Sequence, residues 1–237
     1  MRKTFTVLFV LLTSLSFVQG QGYDVESAKA DSIEDYDGNK YSVVAIGEQQ
    51  WMGENLRVTH YRNGDPIANG AGIDIASGER GYYLFYDNEP AYASDYGLLY
   101  TIDVIKEERR VCPDGWRLPS HAQWKVLDMQ LGMTWKEANN WGVWNGSDEG
   151  GQLKATGTDY WELPNKGATD EKGFSMHGAG SWNEGFSGLR ETASFWTSTL
   201  LDHRYKIREY NFNRAKTYHR SSFRGGRSIR CIRHHSD

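Results

Sequence analysis

Two cysteines, and no others, occur in this 237-residue chain: Cys112 in Cys112-Pro-Asp-Gly-Trp-Arg-Leu-Pro-Ser120, and Cys231 in Ser228-Ile-Arg-Cys-Ile-Arg233. Their number constrains the fold because the chain opens like an exported one. Arg2 and Lys3 precede an apolar run from Phe5 to Val18, and Val18-Gln19-Gly20 suits cleavage before Gln21, the layout of a signal peptide over residues 1–20. The expected destination is the periplasm, the cell surface or the medium. The run is short for a membrane span, and no later segment has the length of apolar sequence a spanning helix needs, so no transmembrane segment is expected in the mature chain. No cysteine stands near the cleavage point to carry a lipid. In an oxidising compartment an even cysteine count reads most simply as a disulfide, here one tying the middle of the chain to its last strand. A free thiol at either position is the alternative that a catalytic cysteine would require.

The mature chain of about 217 residues suits one domain with a sizeable core. Losing Arg2 and Lys3 leaves 25 basic against 31 acidic side chains, which argues against general nucleic-acid affinity. The charge is uneven. Ten Lys or Arg and only one acid, Glu209, lie between Arg204 and Arg233. These positions are expected to be solvent-facing on strands and paired with the acidic first half; the alternative is a basic strip for an anionic polysaccharide.

Residues 21–32 are polar and aperiodic, a lead-in to a domain over 33–237. Ile33 to Tyr36, the turn Asp37-Gly38, and Lys40 to Ile46 predict a hairpin, with a third strand through Gln50-Trp51-Met52. Residues 54–81 read as loop. Tyr82 to Tyr86 and Gly97 to Thr101 fit strands or short helices equally well. One helix is well marked: Ser120 and Gln123 form a capping box, Trp124, Leu127 and Leu131 make an apolar stripe, and Gly132 ends it. From Thr134 to Ser194 the chain reads as a long looped insertion. Strands return at Phe195 to Thr199, Tyr205 to Phe212 and Ser228 to Arg233, with Ile229, Cys231 and Arg233 sharing one side of the last.

The order of these pieces resembles the Fibrobacter succinogenes major paralogous domain, a family of exported bacterial proteins without a settled activity. The resemblance runs from about Tyr36 to Arg233. It is carried by Asp37-Gly-Asn-Lys-Tyr41, Ile46-Gly47, Trp51-Met-Gly-Glu-Asn-Leu56, Tyr96-Gly-Leu-Leu-Tyr100, Cys112 to Ser120, Gly173-Phe174, Phe195-Trp-Thr-Ser-Thr199 and Ser228-Ile-Arg-Cys231. Gly115-Trp-Arg-Leu-Pro119 with its helix is also similar to the corresponding element of the formylglycine-generating enzyme group. The resemblance implies a loop-rich, C-type-lectin-like α+β fold whose termini meet in one sheet. His121-Ala-Gln123 departs from the family pattern, in which an acid often precedes the tryptophan.

The formylglycine-generating group works with a reactive cysteine pair and copper, whereas Cys112 and Cys231 stand at framework positions. His60, His121, His177, His203, His219, His234 and His235 show no ligand spacing, and His-Glu-x-x-His, Gly-x-Ser-x-Gly and Walker patterns do not occur. Lectin-like folds often hold calcium through loop oxygens. Asp87, Asn88, Glu89 and Asp95 are weak calcium candidates, and Trp182-Asn183-Glu184, with Asn165, faintly resembles a calcium-lectin motif. Asp35, Asp37 and Asn39 suggest an EF-hand, but the spacing to Gly38 is wrong. Ordinary polar turns account for all three groups.

Aromatic residues carry the functional reading. Nine Trp and fourteen Tyr exceed the needs of such a core, and flat rings beside Asn, Asp and Glu suit sugar faces and hydroxyls. Trp135, Trp141, Trp144, Trp161 and Trp182, with Asn183 and Glu184, are the candidate ligand contacts, weighed against simple space-filling among loops. Trp51, Trp116, Trp124 and Trp196 are assigned to the core. The chain is therefore expected to be a non-enzymatic binding module for a polysaccharide or surface glycan, with no obligatory cofactor. A structural or adhesion protein of the cell envelope with a protein partner is the first rival, and a divergent enzyme of the formylglycine-generating group the second.

Overall fold

The computed structural model describes residues 32–75 and 80–234. The signal peptide expected at 1–20 and residues 21–31 of the lead-in lie outside the described residues. Ser32, assigned to the lead-in, already pairs with Ser42.

The predicted meander is present. Ser32–Glu34 (β1) and Lys40–Ile46 (β2) flank a turn in which the Asp35 carboxylate accepts hydrogen bonds from the Asp37 and Asn39 amides at 2.9 and 3.0 Å. The same carboxylate accepts from the Asn39 and Tyr41 side chains, so the group that suggested an EF-hand is a hydrogen-bonded turn. Gln49–Met52 (β3) follows, and Ile232–His234 (β14) pairs antiparallel with it. The sheet β1-β2-β3-β14 thus joins the two ends of the described chain.

A second, larger sheet is built from Ala68–Asn69 (β4), Tyr82–Leu84 (β5), Leu99–Thr101 (β6), Trp144–Asn145 (β7), Ala179–Trp182 (β8), Phe186–Leu189 (β9), Thr192–Leu201 (β10), Arg204–Asn211 (β11), Thr217–Ser222 (β12) and Gly226–Arg227 (β13). Its order is β4-β5-β6-β13-β8-β10-β11-β12-β7, with β9 paired to β8. The helices are short: Ala93–Tyr96 (α1), Ile102–Lys106 (α2), His121–Gln130 (α3), Trp135–Ala138 (α4) and Glu149–Gln152 (α5). The fold is sheet-rich α+β, and among the described residues no helix is long and apolar enough to cross a membrane.

Helix α3 starts as its sequence requires, with Ser120 Oγ accepting from the Gln123 amide at 3.2 Å and Gln123 Oε1 accepting from the Ser120 amide at 2.8 Å. Its stripe of Trp124, Leu127 and Leu131 is buried. All four tryptophans assigned to the core, Trp51, Trp116, Trp124 and Trp196, are at most 3 % exposed.

Two apolar clusters lie on either side of one layer of strands. Met52, Trp196, Ile207, Ile229 and Cys231 belong to one, and Trp51, Phe195, Tyr210 and Ile232 to the other. Neighbouring residues on β3, on β10 and in the last segment therefore serve opposite cores. A strand covered on both faces reads as continuous apolar sequence rather than alternation.

Arg230 sits inside this layer and is where the recurrent motifs meet. Its Nε and Nη2 donate to Asn55 Oδ1 at 3.1 and 2.8 Å, its Nη1 donates to the Phe174 carbonyl, and its guanidinium stacks on Phe174 and Phe195. Asn55 in turn donates to the Tyr96 carbonyl at 3.0 Å. Gly97 stands against Asn55 at φ +71°, where a Cβ would come within 2.6 Å of Asn55 Cβ, so only glycine fits. Cys112 and Cys231 are bonded to each other across 119 residues and buried in the first cluster. The shared motifs thus specify the frame.

Three expectations are corrected. The strip from Arg204 to Arg233 is only in part a solvent-facing surface: Arg204, Arg214, Lys216 and Arg224 are exposed, but Arg208, Arg227 and Arg230 are buried to within 1 % and Lys206 is 9 % exposed. These long side chains fill the interior, Arg208 pairing with Asp128 and Arg227 stacking on Trp196 at 4.6 Å. The insertion from 134 to 194 is not all loop, since α4, β7, α5 and the β8–β9 hairpin lie within it. Strand β12 also went unanticipated; its buried positions are Thr217, His219 and Ser222, which give no apolar alternation.

Candidate functional site

The β8–β9 hairpin ends in a ridge formed by Trp182, Asn183 and Glu184. Trp182 pairs with Phe186, and Glu184 at φ +65° makes the reversal. Gly225 packs against the ridge at φ +99°, where a Cβ would lie 2.7 Å from the Trp182 carbonyl oxygen and 2.8 Å from Asn183 Oδ1. On one side of the ridge a recess of about 320 Å³ is lined by Trp182, Asn183, Glu184, Asp103, Lys106, Phe223 and Arg224 among others. On the other side a recess of about 310 Å³ shares Trp182 and Glu184 and adds Asp74, Asn88 and Phe186. Helix α2 supplies Asp103 and Lys106, ion-paired at 2.9 Å, while Glu184 pairs with Arg224. The cleft therefore offers an indole ring, a phenyl ring and fixed donors and acceptors of nearly balanced charge, and among the described residues no ring or cation stacks on Trp182. A slightly larger recess of about 360 Å³ beside the disulfide has an apolar floor of Val104, Ile105, Val111 and Leu118, but no aromatic ring lines it.

The structure does not gather the five candidate tryptophans. Trp161 is fully buried in the second core cluster, its Nε1 donating to the Met176 carbonyl at 2.7 Å, which corrects its assignment as a ligand contact. Trp141 is partly exposed, but Lys206 Nζ lies 3.7 Å from its ring centroid. Trp144 packs on Tyr218, with Arg214 over it at 5.0 Å. Each of these rings thus has a face taken by a cation of the protein. Trp135 is 72 % exposed on α4, far in the sequence from the ridge.

The calcium candidates do not fit as a set. Glu89 Oε1 accepts from the Ala91 amide at 3.2 Å as a cap, and Asp95 engages Ser94 and, through its carbonyl, His177. Among the described residues no three His, Cys, Asp or Glu side chains form a group able to hold an ion. Glu184 has a guanidinium where a cation would bind. Copper chemistry on the cysteines is likewise unsupported by the donors, because both sulfurs are spent in the disulfide.

Sequence reasoning missed Asp103, Lys106, Phe223 and Arg224 as cleft residues. They come from a five-residue helix and from the turn after β12, and only the pairing of β13 with both β6 and β8 brings them to Trp182.

Behind Trp141 lie two buried histidines, His121 at the start of α3 and His219 on β12, with His219 Nδ1 3.3 Å from His121 Nε2. Burial, followed by the positive charge of Arg208, pushes His121 down to about 2 and His219 down to about 3 from the ordinary 6.5. Below about pH 6.5 the unfolded chain binds a proton on each ring and the folded chain does not. Stability is thus full above pH 6.5 and falls as pH drops through that value towards the folded pKa values. The expected slope is about 1.4 kcal/mol per pH unit for each histidine. Urea unfolding between pH 7 and pH 4.5 should show it, and His219→Gln should roughly halve it; a flat profile would contradict the buried neutral pair.

The family model of the Fibrobacter succinogenes major domain matches residues 44–233. No curated protein matches the chain, and no solved structure does.

Proposed function

We propose that this chain, which belongs to the Fibrobacter succinogenes major domain family, is an exported, non-enzymatic binding module for carbohydrate, of C-type-lectin-like architecture, and that the ridge Trp182-Asn183-Glu184 is its recognition site. The observation that carries this reading is the half-buried Trp182 ring, which packs on the Leu84, Tyr86 and Leu99 cluster and lines two recesses, with Asn183, Glu184, Asp103 and Arg224 around the first. A pyranose stacks its C–H face on an indole and takes paired hydrogen bonds from planar amide, carboxylate and guanidinium groups. Glu184 and Arg224 orient each other for that role without a metal ion. The non-enzymatic reading is supported by the mutual bonding of Cys112 and Cys231, which leaves neither as a nucleophile.

The test is retention on a polysaccharide that binds the wild-type chain. Trp182→Ala should weaken retention about ten-fold or more with a lowered but still cooperative unfolding transition, since the ring packs on the Leu84, Tyr86 and Leu99 cluster, whereas Trp135→Ala should leave retention and the unfolding midpoint unchanged. Equal loss in the two variants, or none in either, would refute the assignment. A protein partner is the second reading, favoured by the exposure of Trp135, Val143 and Trp141 at 72 %, 50 % and 45 %. It predicts that Trp135→Ala, and not Trp182→Ala, abolishes a cell-surface contact.

A further inference from the structure

We propose that the tip of the β10–β11 hairpin, with Phe223 beside it, is an anchoring surface for a bilayer of anionic phospholipid. The hairpin reverses through Asp202 and His203 at φ +50° and +58°, a tight two-residue turn. Leu200 and Leu201, on the strand entering that turn, are 54 % and 52 % exposed, and Phe223 is 55 % exposed. Leu201 pairs with Arg204, whose guanidinium lies 5.4 Å from the Phe223 ring centroid; the Arg224 guanidinium lies at the same distance from that ring. Two cations gathered on one ring repel unless anions answer them. Glu184 answers Arg224, but Arg204 has no carboxylate partner among the described residues.

The occupant follows from this chemistry and size. Leu201 and Phe223 on the Arg204 face of the tip, with Leu200 on the opposite face, offer an apolar end that a bilayer can take in edge-on, far smaller than the roughly 800 Å² per partner of a stable protein interface. A lipid surface accepts such an end: leucine and phenylalanine enter the boundary between headgroups and acyl chains, and the guanidinium stays with phosphate, which it binds bidentately. From Gln21 onward the chain carries 25 basic against 31 acidic side chains, so attraction to an anionic bilayer would come from the local Arg204, set beside exposed Leu201 and Phe223 without a carboxylate partner, and not from the whole chain. The inference does not depend on glycan binding at Trp182.

The chain from Gln21 onward, without the apolar run of residues 5–18, is sedimented with vesicles of phosphatidylglycerol and phosphatidylcholine in equal parts, and with phosphatidylcholine alone. The wild-type chain should sediment with the anionic vesicles only. Leu200→Ser with Leu201→Ser should lower partitioning about ten-fold, and Arg204→Gln about five-fold with a shallower salt dependence. Leu200, Leu201 and Arg204 are exposed and do not line the Trp182 cleft, so an unchanged urea midpoint and near-ultraviolet spectrum verify that each variant is folded. Equal sedimentation of wild type and variants, equal binding to phosphatidylcholine alone, or tip-dependent self-association without vesicle binding would each overturn the proposal. Should the double leucine variant fail to fold, Arg204→Gln decides by the same criteria.

Discussion

Replacing both cysteines, Cys112→Ala with Cys231→Ala, is expected to lower folding stability by about 5 kcal/mol. The bridge closes a loop of 119 residues, and in the chain-entropy model a loop of that length removes about 5 kcal/mol of freedom from the unfolded chain. Both residues are also buried, so the variant loses packing in the first cluster as well. Such a loss consumes much of the 5–15 kcal/mol that holds a typical domain together. Urea titration of oxidised wild type against the variant measures it, the midpoint moving to lower urea. A thiol titration of the denatured, unreduced protein should find no free thiol; one or two would contradict the pairing and restore a reactive cysteine to consideration.

Asp128→Ala should cost about 3–5 kcal/mol. Asp128 on α3 and Arg208 on β11 form an ion pair with side chains at most 1 % exposed, and Arg208 also stacks on Trp124 at 5.7 Å. Removing the carboxylate strands a guanidinium in the interior, where it cannot shed its charge. The pair itself is worth much less than its breaking costs, because both ions were desolvated to form it. Asp128→Leu combined with Arg208→Met should therefore recover most of the loss. If the double variant were as unstable as the single one, the destabilisation would come from packing rather than from an uncompensated charge.

Much of the frame was legible because its signals are local or chemically singular. The capping box of Ser120 and Gln123, the turn at Asp37-Gly38 and the pairing of the two cysteines each follow from a few residues. The motif residues Asn55, Tyr96, Phe174, Phe195 and Arg230 announced the family, yet nothing in their spacing said that they converge on one buried guanidinium. The strip of arginines misled because charge is ordinarily solvated, whereas this interior takes in Arg208, Arg227 and Arg230 by giving them aromatic rings and oxygen acceptors. Lys154 follows the same rule, fully buried with Nζ on the carbonyls of Lys166, Asn211 and Arg214 at 2.9, 3.2 and 3.1 Å.

The candidate site was half legible. Composition singles out tryptophans in the insertion but does not separate Trp182, which is half-buried on a ridge, from Trp161, which fills the core. That difference is decided by long-range pairing. Trp161 is held by its Nε1 on the Met176 carbonyl and by bonds of Tyr160 and Glu162 to Gly178 and Arg190, and Trp182 sits at a hairpin tip that β13 ties to α2. Phe223 and Arg224 reach the cleft for the same reason, through the turn that joins β12 to β13.

Recognition of carbohydrate outside the family motifs is the central claim, and one measurement bears on it most directly: retention of the chain from Gln21 to Asp237, cysteines oxidised, on a panel of neutral and anionic polysaccharides, with calcium and with chelator. The account predicts saturable retention on at least one glycan, undiminished by chelator because Glu184 is already paired with Arg224. Retention on none would contradict the carbohydrate reading and leave a protein partner, while retention abolished by chelator would contradict the metal-free site at Trp182.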